Sequence, residues 1–389
     1  MDPSLNPYTP GSGRMPFELA GRQQEIDYFD LIVAKSKLGR PDRGLVLSGL
    51  RGVGKTSLLN FLAEHARTHD WLVISIEAKL TEPGRASVRQ RLGREINAAL
   101  RRFSWKHKAG DAIDSLKSMV AGFSVAAAGV QVGVDFNAPA ASGELDVDFE
   151  ELVEQICAVM AKERSAFAVF VDEMQDLDPD LLAALITTQH LANQRGWPFF
   201  VIAAGLPNLP AVLATSRSYA ERSFKYFQVG ALNEPEAVDA YLLPATANGG
   251  RFDQDALDLL VEASSGYPYF IQEFGNAIWD LAADVPFTVA DAEAAIDVGV
   301  ALLDAGFFPA RWDRATPAER RYLTAMANTA AESPLSATVA AELGSSTQAQ
   351  STVRQELIRK GLVYPPEHGR VAFTVPGMAD FIRRQDPAG

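Results

Sequence analysis

One cysteine in 389 residues, Cys157, leaves this chain no internal disulfide framework and suits a reducing compartment. It sits in the apolar pattern LVEQICAVM, which reads as a buried core thiol. No secretory signal opens the chain: MDPSLNPYTPGSGRMP is polar and turn-rich, so the expected location is the cytoplasm. Long hydrophobic runs are missing too. The uncharged stretch from Ser118 to Val134 falls short of the roughly 20 apolar residues of a spanning helix. Its three glycines and small-apolar alternation read as a β-hairpin, so no membrane partner is expected. Positive charge is scarce, with 36 Lys and Arg against 49 Asp and Glu and a net charge of −13. Nucleic acid would repel the molecule as a whole, and any DNA contact must be a local basic patch. The five histidines show no zinc spacing with the lone cysteine. His65 and His69 lie one helical turn apart with no further ligand in view, and read as a solvated helix end.

What the chain does have is order. Five short apolar runs, at 44–49, 71–78, 166–173, 198–205 and 225–232, alternate with helical patterns. That alternation indicates a parallel sheet covered on both faces, an α/β class. From Asn233 to about Ala305 the pattern is wholly helical. From Gly306 onward come TPAERRYLTAMA, with a capping box of Thr316, Pro317 and Glu319, then LSATVAAELG and TQAQSTVRQELIRKG. Two strands around the turn in LVYPPEHGRVAFTVP follow, which makes a winged helix-turn-helix pattern. The expected domains are an N-terminal arm over 1–40, a core over 41–232 with an insertion at about 108–148, a helical lid over 233–305, and a winged helix over 306–389. The insertion carries the hairpin at 118–137. Its glycine- and alanine-rich strands would leave open edges, so self-association or a protein partner is expected there.

The stretch Gly49-Leu50-Arg51-Gly52-Val53-Gly54-Lys55-Thr56 fits G-x-x-x-x-G-K-[ST], follows a strand and opens a helix. Its glycines let backbone N–H groups curl around a phosphate, and the helix dipole points at it. Lys55 supplies a point charge to the β/γ oxygens, Thr56 offers its hydroxyl to Mg²⁺, and Ser57 adjoins them. AFAVFVDEMQDL delivers Asp172 and Glu173 at the carboxyl end of a buried strand, where ligands of open α/β sheets bind. Asp172 would hold Mg²⁺ through water, and Glu173 would polarise an attacking water. The pair argues for ATP hydrolysis over kinase chemistry, which must exclude water.

With these motifs the chain resembles the AAA+ and STAND P-loop ATPases, above all the small bacterial and archaeal relatives of the origin-recognition initiators. The resemblance runs from FELAGRQQEI to the end. It implies an AAA+-like fold binding ATP and Mg²⁺, and a box of Gly21, Arg22 and Glu25 lying against adenine. Asn208 stands near the sensor-1 place, with a plain turn residue as the alternative. Arg222, with Arg217 second, stands where a trans-acting arginine finger is found. Gly266-Tyr267-Pro268 resembles the G-x-P of STAND proteins, whose proline packs on the nucleotide, and replaces the sensor-2 arginine of motors. The resemblance therefore implies a slow switch more than a motor. In the tail, Ala349, Val353 and Leu357 are spaced for a buried face. Gln348, Gln350, Ser351 and Arg354 fall opposite, with His368 and Arg370 at the wing, as candidate contacts to double-stranded DNA. The tail's net charge of roughly +2 runs in the direction that DNA contact needs. Winged helices also dock proteins, so a signalling or defence scaffold remains the alternative.

Overall fold

Runs such as FAVFVD and FFVIAAG have no polar face to turn to water, so their strands must be covered on both sides. In the computed structural model, which describes residues 1–11, 13–40, 42–79, 82–107 and 144–385, this is what they form. Strands β1 (Gly44–Ser48), β2 (Leu72–Glu77), β3 (Phe167–Asp172), β4 (Phe199–Gly205) and β5 (Phe224–Gln228) make one parallel sheet, ordered β2-β3-β4-β1-β5. The five expected runs become these five strands. The last stops at Gln228, short of the expected Leu232, where the Val229 N–H donates to Ser48 O at 2.7 Å.

The helices of this first unit are α1 (Gln23–Lys37), α2 (Lys55–Thr68), α3 (Glu82–His107), α4 (Leu145–Lys162), α5 (Pro179–Arg195) and α6 (Leu209–Ser216). Cys157 is buried on α4 within the core, as expected, beside Ile156, Phe149 and Phe199. The expected hairpin at 118–137 lies outside the described residues. Among the described residues, no helix is long and apolar enough to cross a membrane.

The chain packs as two units, residues 22–49 with 55–229, and residues 1–21 and 50–54 with 230–389. In the second unit, α7 (Glu234–Ala247), α8 (Gln254–Ser264), α9 (Pro268–Leu281) and α10 (Val289–Leu302) match the helical stretch. The first of these runs to Ala247 with Pro244 buried inside it. Only one backbone hydrogen bond is forfeited there, and burial of Tyr241 and Ala245 outweighs it. The N-terminal arm is tied to these helices. Tyr8 is buried, with its hydroxyl on Tyr241 O, and Trp279 Nε1 donates to Asp2 O at 2.9 Å.

Beyond α10 the chain makes one π-helical turn, Leu303–Phe307. Then come α11 (Pro317–Asn328), α12 (Ser336–Glu342) and α13 (Ser351–Arg359), followed by an antiparallel ribbon of β6 (Val363–Tyr364) and β7 (Ala372–Phe373). The capping box at Thr316 and Glu319 forms. Two expectations need correction. TQAQ is a turn, not the first turn of α13, so Gln348 and the exposed Ala349 precede the helix and Gln350 is its N-cap. A last helix, α14 (Met378–Gln385), was not anticipated; it packs on α11, and its Phe381 stacks on Phe308 at 5.2 Å.

Gly266 ties α8 to the start of α9. Its φ is +66°, and a Cβ there would lie 2.1 Å from Leu232 O. Gly39 has φ +68° but open space around it. Gly266→Ala should therefore lower the thermal midpoint well beyond Gly39→Ala, which carries only the left-handed penalty of ~1 kcal/mol. Equal losses in parallel melts would contradict this account of the joint.

Candidate nucleotide site

Strand β3 ends in Asp172 because its apolar run stops there, and Glu173 takes the left-handed conformation (φ 50°, ψ 42°) to turn the chain. Buried Met174 anchors that turn. Lys55 opens α2 and is buried, only 7% exposed. The Thr56 hydroxyl donates to Asp172 Oδ2 at 2.8 Å, and the Glu173 N–H donates to Asp172 Oδ1 at 2.9 Å. Burial pushes the Asp172 carboxyl above its ordinary range, against the Thr56 hydrogen bond and with the charge of Glu173 adding to the rise. An alcohol and a carboxylate converging beside a buried ammonium form a hard-oxygen donor set that suits Mg²⁺.

One residue of this cluster escaped the sequence reading. Gln175 donates from Nε2 to Glu173 Oε2 at 2.7 Å, and its Oε1 accepts the Leu206 N–H at 3.1 Å. It therefore fixes the carboxylate of Glu173 to the end of β4. Gly205 leaves it room, since a Cβ there would lie 2.2 Å from Gln175 Oε1. A glutamine two residues after the acidic pair was the available signal. Asn208, expected near this strand end, sits at the N-cap of α6 without capping it. Its Oδ1 is buried with no hydrogen-bond partner among the described residues, which fits a side chain reserved for a ligand.

The loop after β1 has φ +83° at Gly52 and +88° at Gly54, values that suit only glycine, while Val53 between them is buried. Gly49 N–H donates to Gly205 O at 3.1 Å. In the second unit, Gly52 O accepts the Tyr269 N–H at 3.2 Å, and a Cβ on Gly52 would touch the ring of Tyr267 at 3.0 Å. Arg51 N–H donates to Thr374 O, also at 3.2 Å, bonding the loop to the segment just after β7. Arg311 stacks its guanidinium 3.8 Å over the Phe307 ring. Burial first and the charge of Arg51 second lower its pKa to about 10. Its Nε is buried with no hydrogen-bond partner among the described residues.

Residues 18–202 match the family model described as the AAA ATPase domain. The chain carries an AAA ATPase domain. Residues 305–382 of this ATPase match a second model, described as a domain of unknown function (DUF8462). No curated protein matches it significantly. Its fold is similar to that of a Walker-type ATPase of Pyrococcus abyssi, at TM-score 0.63 and 15% identity, covering 97% of this chain and 99% of that one. It is also similar to the ORC2 protein of Aeropyrum pernix, solved as ADPNP-ADP complexes, at TM-score 0.53 and 13% identity over 97% and 98% of the two chains.

The remaining expected residues are scattered. Gly21 has φ +68° and is crowded by Glu236 and Leu232, while Arg22 and Glu25 are both buried, so Arg22 is no ordinary surface arginine. Pro268 starts α9. Arg222 is exposed on the short helix Ala220–Ser223, and Arg217 donates to Ser216 O. In the C-terminal module, Arg354 Nη2 donates to Arg370 O at 3.1 Å and Arg370 Nη1 to Ser333 O at 2.7 Å. Gln350 reaches Ser345 Oγ and Ser351 reaches Gln348 O, whereas His368 is exposed in the turn between β6 and β7.

The raised pKa of Asp172 fixes the sign of a test. The folded protein keeps this proton at a pH where the unfolded chain has lost it, so the group's stabilising contribution is complete below the ordinary value of 3.8. That contribution is lost as pH rises through the raised value. Asp172→Asn should keep the Thr56 contact and raise the nucleotide-free melting point at neutral pH by a few degrees. The gain over the parent should shrink towards pH 4. A lower melting point at neutral pH, or a gain independent of pH, would contradict the burial account.

Proposed function

We propose that this ATPase is a slow molecular switch that passes the nucleotide state of its loop to the C-terminal module, residues 317–385, and through it to duplex DNA. The observation that carries the reading is the hydrogen bond from Arg51 of the loop to Thr374. Loop and module share a bond, so rearranging one perturbs the other.

In this reading the loop N–H groups and buried Lys55 hold the β- and γ-phosphates and neutralise their charge. Thr56, and Asp172 through water, would hold Mg²⁺, which would supply further charge neutralisation on the phosphate oxygens. Glu173, held by Gln175, takes a proton from the water whose oxygen bonds to the γ-phosphorus as the bond from that phosphorus to the departing ADP oxygen breaks. Arg311, close enough to Arg51 for their charges to act on each other, contributes positive charge beside the loop. The start of α9 offers Tyr267 and Pro268 where a motor would place an arginine, which supports slow turnover. The family match and the ATPase fold support nucleotide-dependent ATPase function. DNA as the ligand of the module rests on its element order, three helices and a ribbon ahead of α14, and on its local charge.

A second reading has its own support. Arg354 and Arg370 are engaged by backbone carbonyls of the module itself. That pattern fits a module that docks a protein partner, as in a signalling or defence scaffold.

Glu173→Gln separates the readings, because it should retain ATP and lose turnover, leaving the switch in one state. With ATP present it should bind duplex DNA differently from the nucleotide-free protein, by about 10-fold or more, with an affinity that falls as salt rises. Duplex should also change the parental ATPase rate. No duplex binding at low salt in any nucleotide state would exclude DNA and leave the docking reading. Parental turnover in the variant would show that Glu173 is not the base.

A further inference from the structure

His65 and His69 do not form the solvated helix end that their spacing suggested. Asp30, on α1, reaches them: His65 Nε2 lies 2.6 Å from Asp30 Oδ1, and the two imidazole rings meet edge-on at 4.8 Å. One ligand atom from each of the three residues lies within 4.8 Å of the others. The geometry points to a divalent transition-metal site of the zinc class, formed by Asp30, His65 and His69, separate from the nucleotide site.

Its chemistry and its surroundings support it. His65 in the last turn of α2 and His69 just past its end, with a carboxylate from α1, make the mixed nitrogen-oxygen set that Zn²⁺, Co²⁺ and Ni²⁺ favour over Mg²⁺. Ligands at ~2.1 Å from a metal stand about 3–3.5 Å apart, so closing the set needs side-chain rotation alone. His65 is already held, with Phe61 stacked parallel to it at 5.9 Å and buried Phe29 against it at 6.0 Å. Both histidines lie at the carboxyl end of α2, where unpaired carbonyls favour positive charge. Asp30 is half exposed, which leaves the remaining coordination positions to water. The Lys37 ammonium, 3.3 Å from His69 Nδ1, must donate to that ring and therefore meets an unprotonated nitrogen. It also opposes a bound cation, which gives the site a variant that should bind more tightly.

The test titrates Co²⁺ into tag-free, nucleotide-free protein with millimolar Mg²⁺ present to occupy oxygen sites, and follows the visible d–d absorption. One Co²⁺ per chain is expected, displaced by Zn²⁺. His69→Ala and Asp30→Asn, both outside the core, should each weaken binding by about 10- to 100-fold. Lys37→Met should tighten it by about 3-fold or more, since a like charge is removed. Absence of d–d bands in the parent, or parental affinity in His69→Ala, would overturn the assignment. Loss of binding in Lys37→Met would do so as well.

Discussion

A phosphate chain carries several negative charges, and backbone N–H groups can meet it only where the chain curls more tightly than a side chain allows. Gly52 and Gly54, both left-handed, make that curl. Much of the surrounding structure answers to it. Strand β1 delivers the loop and α2 receives it with its positive end. Gly205 approaches closely enough to accept from Gly49, and the Tyr267 ring fits against Gly52 because no Cβ intervenes. A larger residue at Gly52 would break the backbone turn and its packing together.

Asp172 and Arg311 each carry charge where burial opposes it. Asp172 and Glu173 are adjacent carboxylates at a partly buried strand end, and burial alone disfavours the charge on Asp172. Arg311 bears the converse cost, a guanidinium half removed from water beside Arg51. In the proposed reading, Mg²⁺ held by Thr56 and Asp172 would offset the cost at Asp172.

The sequence told most where a local rule acts alone. Five apolar runs became five parallel strands because nothing else can satisfy a strand with two apolar faces. The capping box at Thr316 formed because its hydrogen bonds are made within one turn. It told less where distant residues decide. Pro244 breaks helices by local rule, but buried neighbours carry α7 through it. Gln175 and Asp30 gain their meaning from partners that only the fold brings near, Leu206 in one case and His65 in the other. Arg354 and Arg370 looked available to DNA by spacing, yet their guanidinium groups reach backbone carbonyls of their own module. The α14 pattern, MADFIRRQ, is amphipathic but short, and only its packing on α11 makes it a helix.

The account stands or falls on whether the loop from Gly49 to Thr56 holds the phosphates of ATP. Calorimetric titration of Mg-ATP into the parent and into Lys55→Ala measures this directly. One nucleotide per chain is predicted for the parent, with a loss of about 100-fold in affinity once the buried ammonium is gone. Equal affinity in the two proteins would contradict the assignment of the site.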